Sequence, residues 1–250
     1  MIDLSRQTAL VTGGSRGIGR AVALLLARAG ADVAITYHTR AGEADATAAE
    51  VRSLGRRAFV AGGDLADPKV AQRLASGLER EFGGLDIFVA NAGVWPAAEV
   101  RLGDMAVERW RTTVEANLDS VFVSTRAVLP LIRPGGRVVI VSSTAGQRGE
   151  AFHADYAATK GALISLTKSL AIEYASTLVV NCIAPGWVDT EMSAPAFTPE
   201  SRERIREGIP IGRIASAEDI AGPILFLCSG LARHVTGEVL NVNGGSVLCG

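Results

Sequence analysis

Seven short apolar runs alternate along the chain with longer segments in which apolar residues recur at helical spacing. The runs are nearly continuous in Val, Ile, Leu and Ala, as expected for strands that are covered on both faces. We predict strands at 8–12, 32–36, 58–61, 86–90, 137–142, 179–184 and 238–242. We predict helices at 17–29, 41–54, 68–82, 104–131, 156–175 and 217–229. Strands that alternate with helices predict an α/β fold with a doubly wound parallel sheet of about seven strands and helices on both faces.

The chain shows no internal repeat, low-complexity tract or linker, so we predict a single domain over residues 1–250. One long segment, 187–215, has weak periodicity and is interrupted by Pro195, Pro199, Gly208 and Pro210. Long loops in compact domains are often lids, so we predict a substrate lid there. Its alternating arginines and glutamates predict a solvated helical face rather than a phosphate site.

Charge and cysteine content exclude several classes of protein. Lys and Arg total 25 against 26 for Asp and Glu, so the net charge of −1 argues against a nucleic-acid partner. Cys182, Cys228 and Cys249 lack metal-ligand spacing, and we interpret them as small buried or terminal residues, with no metal site. The first residues lack the features of a secretory signal, and no apolar run could span a membrane. We therefore expect a soluble cytoplasmic protein.

A glycine-rich loop follows the first predicted strand and opens the first helix. Thr12 to Gly19 read TGGSRGIG, in which Gly13 permits a tight turn, Gly17 a close approach to pyrophosphate and Gly19 close helix packing. The helix N-terminus attracts phosphate. This context predicts a Rossmann-type dinucleotide site with Ser15, Arg16 and Ile18 among its residues, although a methyltransferase could use a similar loop.

The end of the second strand predicts which dinucleotide is bound. NAD-selective sites place a carboxylate there, whereas this chain has Tyr37 and His38, with Arg16 and Arg40 nearby. Positive charge suits a 2′-phosphate, so we predict a preference for NADP(H), with NAD(H) as the alternative. The predicted cofactor site continues at later strand ends, with Asp64 either an adenine ligand or a turn residue: Asp64, Leu65, Asn91, Ala92 and Gly93.

Candidate catalytic side chains occur after the fifth strand. Ser142 and Ser143 end that strand, and Tyr156 and Lys160 lie four residues apart, on one face of the next long helix. An ammonium near a phenol favours the phenolate, so we expect Lys160 to lower the pKa of Tyr156. Tyr156 is thereby a candidate acid and base near neutral pH.

Together these motifs resemble the short-chain dehydrogenase/reductase family over essentially the whole chain. The matching segments are TGGSRGIG (12–19), DL (64–65), NAG (91–93), EANLDSVF (115–122), VSS (141–143), YAATK (156–160), NCIAPGWVDTEM (181–192) and VTGEVLNVNGG (235–245). Ser143 stands 13 residues before Tyr156, the spacing typical of the family, and we therefore choose Ser143 over Ser142 as catalytic.

The resemblance implies roles for individual residues. Tyr156 would protonate the substrate carbonyl oxygen as hydride arrives, Ser143 would bind that oxygen, and Lys160 would bind the nicotinamide ribose. Asn117 would hold the water of a proton relay. Pro185, Gly186, Val188 and Thr190 would position the nicotinamide end of the cofactor. Related proteins pair their helices across two-fold axes, which implies a homotetramer, or a dimer, formed here through residues such as Val121, Phe122, Leu166 and Leu170.

The substrate is less closely defined. The C-terminal segment resembles 3-oxoacyl-[acyl-carrier-protein] reductases, although the turn at 174–181 lacks the Arg that often occurs there. Trp95, His153 and Trp187, with Ser143 and Tyr156, are candidate substrate contacts that suit a small ketone, sugar or cyclic alcohol. A dinucleotide-sensing protein without catalysis is the alternative from another class, and NADPH binding without turnover would reveal it.

Overall fold

A computed structural model describes residues 2–248 and places seven strands in one parallel sheet. The strands are β1 (Thr8–Val11), β2 (Asp32–Tyr37), β3 (Ala58–Gly62), β4 (Leu85–Ala90), β5 (Ile132–Val141), β6 (Leu178–Pro185) and β7 (Val239–Val242). Their order across the sheet is β3-β2-β1-β4-β5-β6-β7, and every pairing is parallel. The predicted doubly wound sheet is confirmed.

Helices cover both faces of this sheet. They are α1 (Gly17–Arg28), α2 (Ala41–Ser53), α3 (Pro68–Phe82), α4 (Val107–Val114), α5 (Ser120–Val128), α6 (Thr144–Arg148), α7 (Ala154–Glu173), α8 (Pro199–Glu207) and α9 (Ala217–Leu227). The local signals for α3 act as expected, since the Asp67 carboxylate accepts a hydrogen bond from the Lys69 N–H and Gly83 ends the helix at φ +67°.

Side chains of the central strands alternate between two separate cores. On β1, Ala9 and Val11 join the core beneath α1, α2 and α9, whereas Leu10 joins the core beneath α3, α5 and α7. On β4, Ile87 joins the first of these cores and Phe88 joins the second. Both faces of each strand are therefore apolar, which explains the continuous apolar runs in the sequence.

The chain reverses its direction of winding between β1 and β4. From β1 the sheet grows to β2 and β3 on one side, and from β4 it grows to β5, β6 and β7 on the other. Loops on the two sides diverge from this point and leave a crevice at the carboxyl ends of the strands, where open α/β sheets bind their ligands.

The structure differs from the predicted elements in three places. The helix predicted at 104–131 is divided into α4, a π-helical turn over Glu115–Asp119, and α5. The predicted lid contains α8, whose capping box joins Thr198 and Ser201, and α6 was not predicted at all. The exposed arginines of α8 confirm the predicted solvated face. The role of 187–215 as a lid stays a prediction.

Two of the four residues expected at a subunit interface lie in the core instead. Val121 and Leu170 are buried against the sheet, because they occupy the inward faces of α5 and α7. Phe122, in contrast, is 53% exposed. The expected assembly stays a prediction.

The remaining general expectations concern cysteines and membranes. Cys182 and Cys228 are buried free thiols, as predicted, whereas Cys249 lies outside the described residues. Within residues 2–248, no helix has the length and apolar character that a membrane span requires.

Candidate active site

A cavity of about 480 Å³ runs along the carboxyl edge of the sheet from the glycine loop to the start of α7. Most of the predicted site residues line it: Gly13, Ser15, Arg16, Gly17, Ile18, Gly19, Tyr37, His38, Asp64, Leu65, Asn91, Ala92, Gly93, Trp95, Ser143, Tyr156, Lys160, Pro185, Gly186, Trp187, Val188 and Thr190. Asn117 and His153 are instead buried behind its walls.

The glycine loop takes a conformation that side chains would prevent. Gly13 has φ +66°, a left-handed value that favours glycine. A Cβ added to Gly19 would overlap the Gly13 carbonyl oxygen and lie 2.6 Å from Asn91 Nδ2. The first turn of α1 therefore packs directly against the loop that precedes it.

Thr12 and Asn91 fasten this loop to the neighbouring strand. The Thr12 hydroxyl oxygen accepts hydrogen bonds from the backbone N–H groups of Asn91 and Ala92, both at 3.0 Å. In return, Asn91 Nδ2 donates to the Thr12 carbonyl at 2.9 Å. The ends of β1 and β4 are thus joined at the crevice, and the Asn91 amide serves to position the loop.

The start of α1 suits a pyrophosphate. Residues 17–20, its first turn, include no acidic side chain, and Arg16 at the N-cap offers only donors. The first N–H groups of the helix thus remain available to an anion, and the helix dipole favours one there. The loop, with its space kept open by glycine, fits a dinucleotide.

The two arginines expected near a 2′-phosphate are both engaged in surface ion pairs. Arg16 pairs with Glu191, and Arg40 pairs with Glu43 at 3.0 Å. Exposed pairs of this kind contribute ~0–1 kcal/mol, so a phosphate can displace the carboxylate at little cost. Sequence reasoning missed Glu191, since 175 residues separate it from Arg16.

Asp64 has one of the two roles that the sequence left open, that of a turn residue. Its Oδ1 accepts a hydrogen bond from the Ala66 N–H at 2.9 Å, which makes it a turn residue. The same residue lines the cavity beside Leu65. One carboxylate oxygen therefore shapes the turn, and the role of Asp64 as an adenine ligand stays a prediction.

Asn117 lies in the π-helical turn and connects three segments. Its Oδ1 accepts from the Val94 N–H at 2.7 Å, and its Nδ2 donates to the Val94 carbonyl at 2.9 Å and to Thr159 Oγ1 at 3.3 Å. These bonds occupy the amide on both sides, so the side chain holds the loop after β4 against α7. The relay role implied by the resemblance stays a prediction.

The two serines after β5 have different surroundings. The Ser142 hydroxyl donates to the Lys160 carbonyl at 2.7 Å and is buried. Ser143 Oγ accepts from the Ala145 N–H at 3.1 Å as the N-cap of α6. Ser143 also lines the cavity, and its hydroxyl acts on the Tyr156 phenol, which supports the choice of Ser143 as the catalytic serine.

The expected lowering of the Tyr156 pKa is wrong, because burial shifts the pKa in the opposite direction. Burial raises the pKa of Tyr156 to about 12, and the Glu150 charge adds to the rise, while the Ser143 hydroxyl opposes it. The Lys160 Nζ donates to the Val141 carbonyl at 2.9 Å and lies 5.8 Å from the centroid of the Tyr156 ring. Burial also lowers the pKa of Lys160, to about 8.

The buried Lys160 predicts a measurable dependence of stability on pH. Between pH 8 and 10 the folded protein has released a proton that the unfolded chain, with a lysine pKa near ~10.4, still binds. The lysine's contribution to stability therefore rises with pH. We expect the Tm of the parent to rise by roughly 4–8 °C relative to the Tm of Lys160→Met from pH 8 to 10, equivalent to about 2 kcal/mol.

Thermal unfolding followed by circular dichroism at several pH values measures this effect. Lys168→Met is the matched control, because Lys168 lies exposed on the same helix. The difference in Tm between Lys168→Met and the parent should stay constant with pH. A constant difference for Lys160→Met as well would show that Lys160 is already neutral, or remains charged, throughout the range.

The far end of the cavity is aromatic and contains a carboxylate that sequence reasoning missed. Trp95 and Trp187 meet edge to face, with ring centroids 5.9 Å apart. The Trp95 Nε1–H donates to Glu150 Oε1 at 3.2 Å, and burial raises the pKa of Glu150. No motif marks Glu150 in the sequence. Its significance depends on this contact, which spans 55 residues.

His153 supports this wall and does not line the cavity. Its ring stacks on Trp95 at 4.7 Å between centroids, with planes 22° apart, and is 3% exposed. The prediction of direct substrate contact is therefore wrong for His153, because the indole stands between it and the cavity. Trp95 and Trp187 do line the cavity, as predicted.

A buried ion pair beside Tyr156 was also missed. Asp155 Oδ2 accepts from Arg109 Nε at 3.0 Å and from the Thr113 hydroxyl at 2.9 Å, and its side chain is fully buried. Arg109 Nη1 also donates to the Ala98 carbonyl at 2.7 Å. These bonds join α4, the loop after β4 and the start of α7, and they lower the pKa of Asp155 against the effect of burial.

The fold and the site define an oxidoreductase of the short-chain dehydrogenase/reductase family, and the chain belongs to this family. Residues 13–246 match the family described as enoyl-(acyl carrier protein) reductase. The sequence resemblance is confirmed.

Named relatives fall into two substrate groups. The chain is 38% identical to an L-rhamnose 1-dehydrogenase (NAD(P)(+)) of Sphingomonas sp. (strain SKA58), over 97% of this chain and 96% of that protein. It is 39% identical to the 3-oxoacyl-[acyl-carrier-protein] reductase FabG of Escherichia coli (strain K12), over 98% of each chain. A short chain dehydrogenase from Burkholderia cenocepacia J2315, solved in complex with NADP, superimposes with a TM-score of 0.91 at 38% identity, covering 97% of this chain and 98% of that one.

Proposed function

We propose that this protein transfers hydride between NADP(H) and a carbonyl or secondary alcohol substrate, with Tyr156 as general acid and base. The observation that carries the proposal is the single cavity that joins the glycine loop to Ser143, Tyr156 and Lys160. The glycine loop at the start of α1 would hold the pyrophosphate of a dinucleotide, and Ser143, Tyr156 and Lys160 would face its nicotinamide end. The Burkholderia relative was solved in complex with NADP, which supports NADP(H) as the cofactor.

Each side chain contributes a defined part of the chemistry. The bound nicotinamide supplies the hydride in reduction and accepts it in oxidation. With a pKa near 12, Tyr156 stays protonated across the neutral range and can donate its proton to the carbonyl oxygen. The Ser143 O–H donates to the same oxygen and stabilises the negative charge that develops there. Lys160, held by the Val141 carbonyl, keeps further N–H donors for the cofactor ribose.

The expected cofactor preference follows from the chemistry near the end of β2. Tyr37 stands where an NAD-selective site has a carboxylate, and Arg16 can exchange Glu191 for a 2′-phosphate. Because a charged hydrogen bond contributes ~1.5–3 kcal/mol, we expect NADPH to exceed NADH in kcat/KM by roughly 10- to 100-fold. Arg16→Ala should raise KM for NADPH and leave NADH little changed, and Tyr37→Asp should shift the preference toward NADH.

Steady-state kinetics with both cofactors tests this preference. Arg20→Ala is the matched control, since Arg20 lies in the first turn of α1, which Arg16 caps. Arg20 forms an exposed ion pair with Glu50 at 2.6 Å. It should leave the cofactor ratio unchanged. Equal kcat/KM for NADPH and NADH in the parent protein would contradict the preference and would show that Arg16 contributes nothing to cofactor choice.

A further inference from the structure

The substrate end of the cavity contains a carboxylate for which hydride transfer has no use. Glu150 lines this end, and its side chain is 19% exposed. Its Oε1 accepts from the Trp95 indole N–H at 3.2 Å and lies 3.7 Å from His153 Nδ1. Within residues 2–248, no hydrogen bond reaches the second oxygen, Oε2. One carboxylate oxygen is therefore held by the protein and the other is left for a ligand.

The surroundings fix this carboxylate in place. Trp95 is stacked on the buried His153 ring, and Trp187 packs edge-on against Trp95 and is 5.7 Å from the Phe197 ring. The indole that orients Glu150 is thus held from two sides. Glu150 lines the same cavity as the Tyr156 phenol, and its charge acts on that phenol.

The chemistry of a fixed carboxylate restricts the ligand. An ionised carboxylate only accepts hydrogen bonds, and it loses free energy when it is desolvated without a donor. The ketone of a 3-oxoacyl thioester is flanked on both sides by alkyl carbons, which provide no hydrogen-bond donor. A hydroxyl or an ammonium group next to the reacting carbon would provide one.

Net charge distinguishes these two donors. Arg148 lines the same cavity, and its positive charge acts on Glu150. The Arg148 guanidinium opposes the charge of Glu150 and repels a second cation, so a neutral hydroxyl is favoured over an ammonium group. The tryptophan rings provide apolar faces for the C–H groups of such a ligand.

We propose that Glu150 accepts a hydrogen bond from a hydroxyl beside the reacting carbon, and that the substrate is a neutral polyhydroxylated carbonyl compound or its alcohol. This inference rests on the hydride transfer proposed above. Glu150 here determines specificity, while Tyr156 and Ser143 carry out the proton chemistry.

A matched series of alcohols tests the inference. The parent protein is supplied with NADP⁺ and, in turn, cyclohexanol, cyclohexane-1,2-diol, 2-aminocyclohexanol and 3-hydroxybutyryl-coenzyme A, and kcat/KM for oxidation is measured for each. We expect the diol to exceed cyclohexanol by roughly 10- to 100-fold, as for one hydrogen bond to a charged group. Glu150→Gln should remove about 10-fold or more of this advantage. Its effect through the charge on Tyr156 acts on both alcohols alike and cancels in the ratio of diol to cyclohexanol.

Two further variants separate specificity from folding. Trp95→Phe keeps the ring but removes the N–H that orients Glu150, and it should also lower the ratio of diol to cyclohexanol. Glu99→Gln alters an exposed acid on the same loop as Trp95 and should leave that ratio unchanged. Unchanged affinity for NADPH, measured by fluorescence titration, shows that each variant is folded.

Each contrary result has a separate meaning. Turnover of cyclohexanol without an advantage for the diol, or an equal loss on both in Glu150→Gln, would overturn the inference and leave the proposed function intact. A preference for the amino alcohol or for the thioester over the diol would also overturn it. Absence of turnover with all four alcohols would contradict the proposed function itself.

Discussion

Tyr156→Phe is expected to lower kcat by roughly 10²- to 10⁴-fold, the usual contribution of a general acid or base. The substitution keeps the ring that packs at the start of α7 and removes the proton beside Ser143. Binding of NADPH should be nearly unchanged, because the rest of the cavity is unaltered. Steady-state reduction of cyclohexanone with NADPH and fluorescence titration with NADPH measure the two effects separately.

Tyr174→Phe is the matched control for this substitution. Tyr174 follows the last residue of α7 and packs against the core on the side away from the cavity. The same chemical change there should leave kcat close to the parent value. If Tyr156→Phe retains most of the activity, another group donates the proton. If the parent binds NADPH but turns over no carbonyl or alcohol, the protein is a dinucleotide-sensing protein.

Gly19→Ala is expected to abolish tight cofactor binding and to lower the free energy of unfolding by about 3 kcal/mol or more. The new methyl group would overlap the Gly13 carbonyl oxygen and lie 2.8 Å from the Gly13 carbonyl carbon. Both are backbone atoms, so the loop itself must move, and Asn91 Nδ2, at 2.6 Å, must move with it. The phosphate site and the junction of β1 with β4 would therefore change together.

Chemical denaturation and NADPH titration measure the two consequences of this substitution. Gly42→Ala is the control, since a Cβ at Gly42, an exposed residue of α2, meets nothing within 4 Å. Alanine is the better helix former by ~0.8–1.0 kcal/mol, so this variant should be slightly more stable than the parent. Wild-type affinity for NADPH in Gly19→Ala would show that the loop can relax without losing its phosphate site.

Much of the fold could be predicted from sequence because its signals are local. The apolar runs of β1 and β4 extend over both faces of a strand, and this pattern already implies a covered parallel sheet. The glycines between β1 and α1 occupy positions where a side chain has no room. The spacing of Tyr156 and Lys160 places both on one face of α7, and both line the cavity.

Long-range contacts decided the features that sequence patterns could not show. The helix predicted at 104–131 is divided where Asn117 bonds to Val94, 23 residues away, so a tertiary contact overrides continuous helical periodicity. Burial, which no local pattern measures, reverses the expected shift in the pKa of Tyr156.

The sequence by itself determined the class of fold, the dinucleotide loop and the set of candidate catalytic residues. Only the tertiary structure brought Glu150 to Trp95 and Arg16 to Glu191, and it placed His153 behind an indole instead of in the cavity. The physical reason is the separation along the chain of the residues that make each feature. Periodicity, turns and glycine positions depend on neighbouring residues, whereas the choice of substrate and cofactor depends on charges and rings that meet only after distant segments have packed.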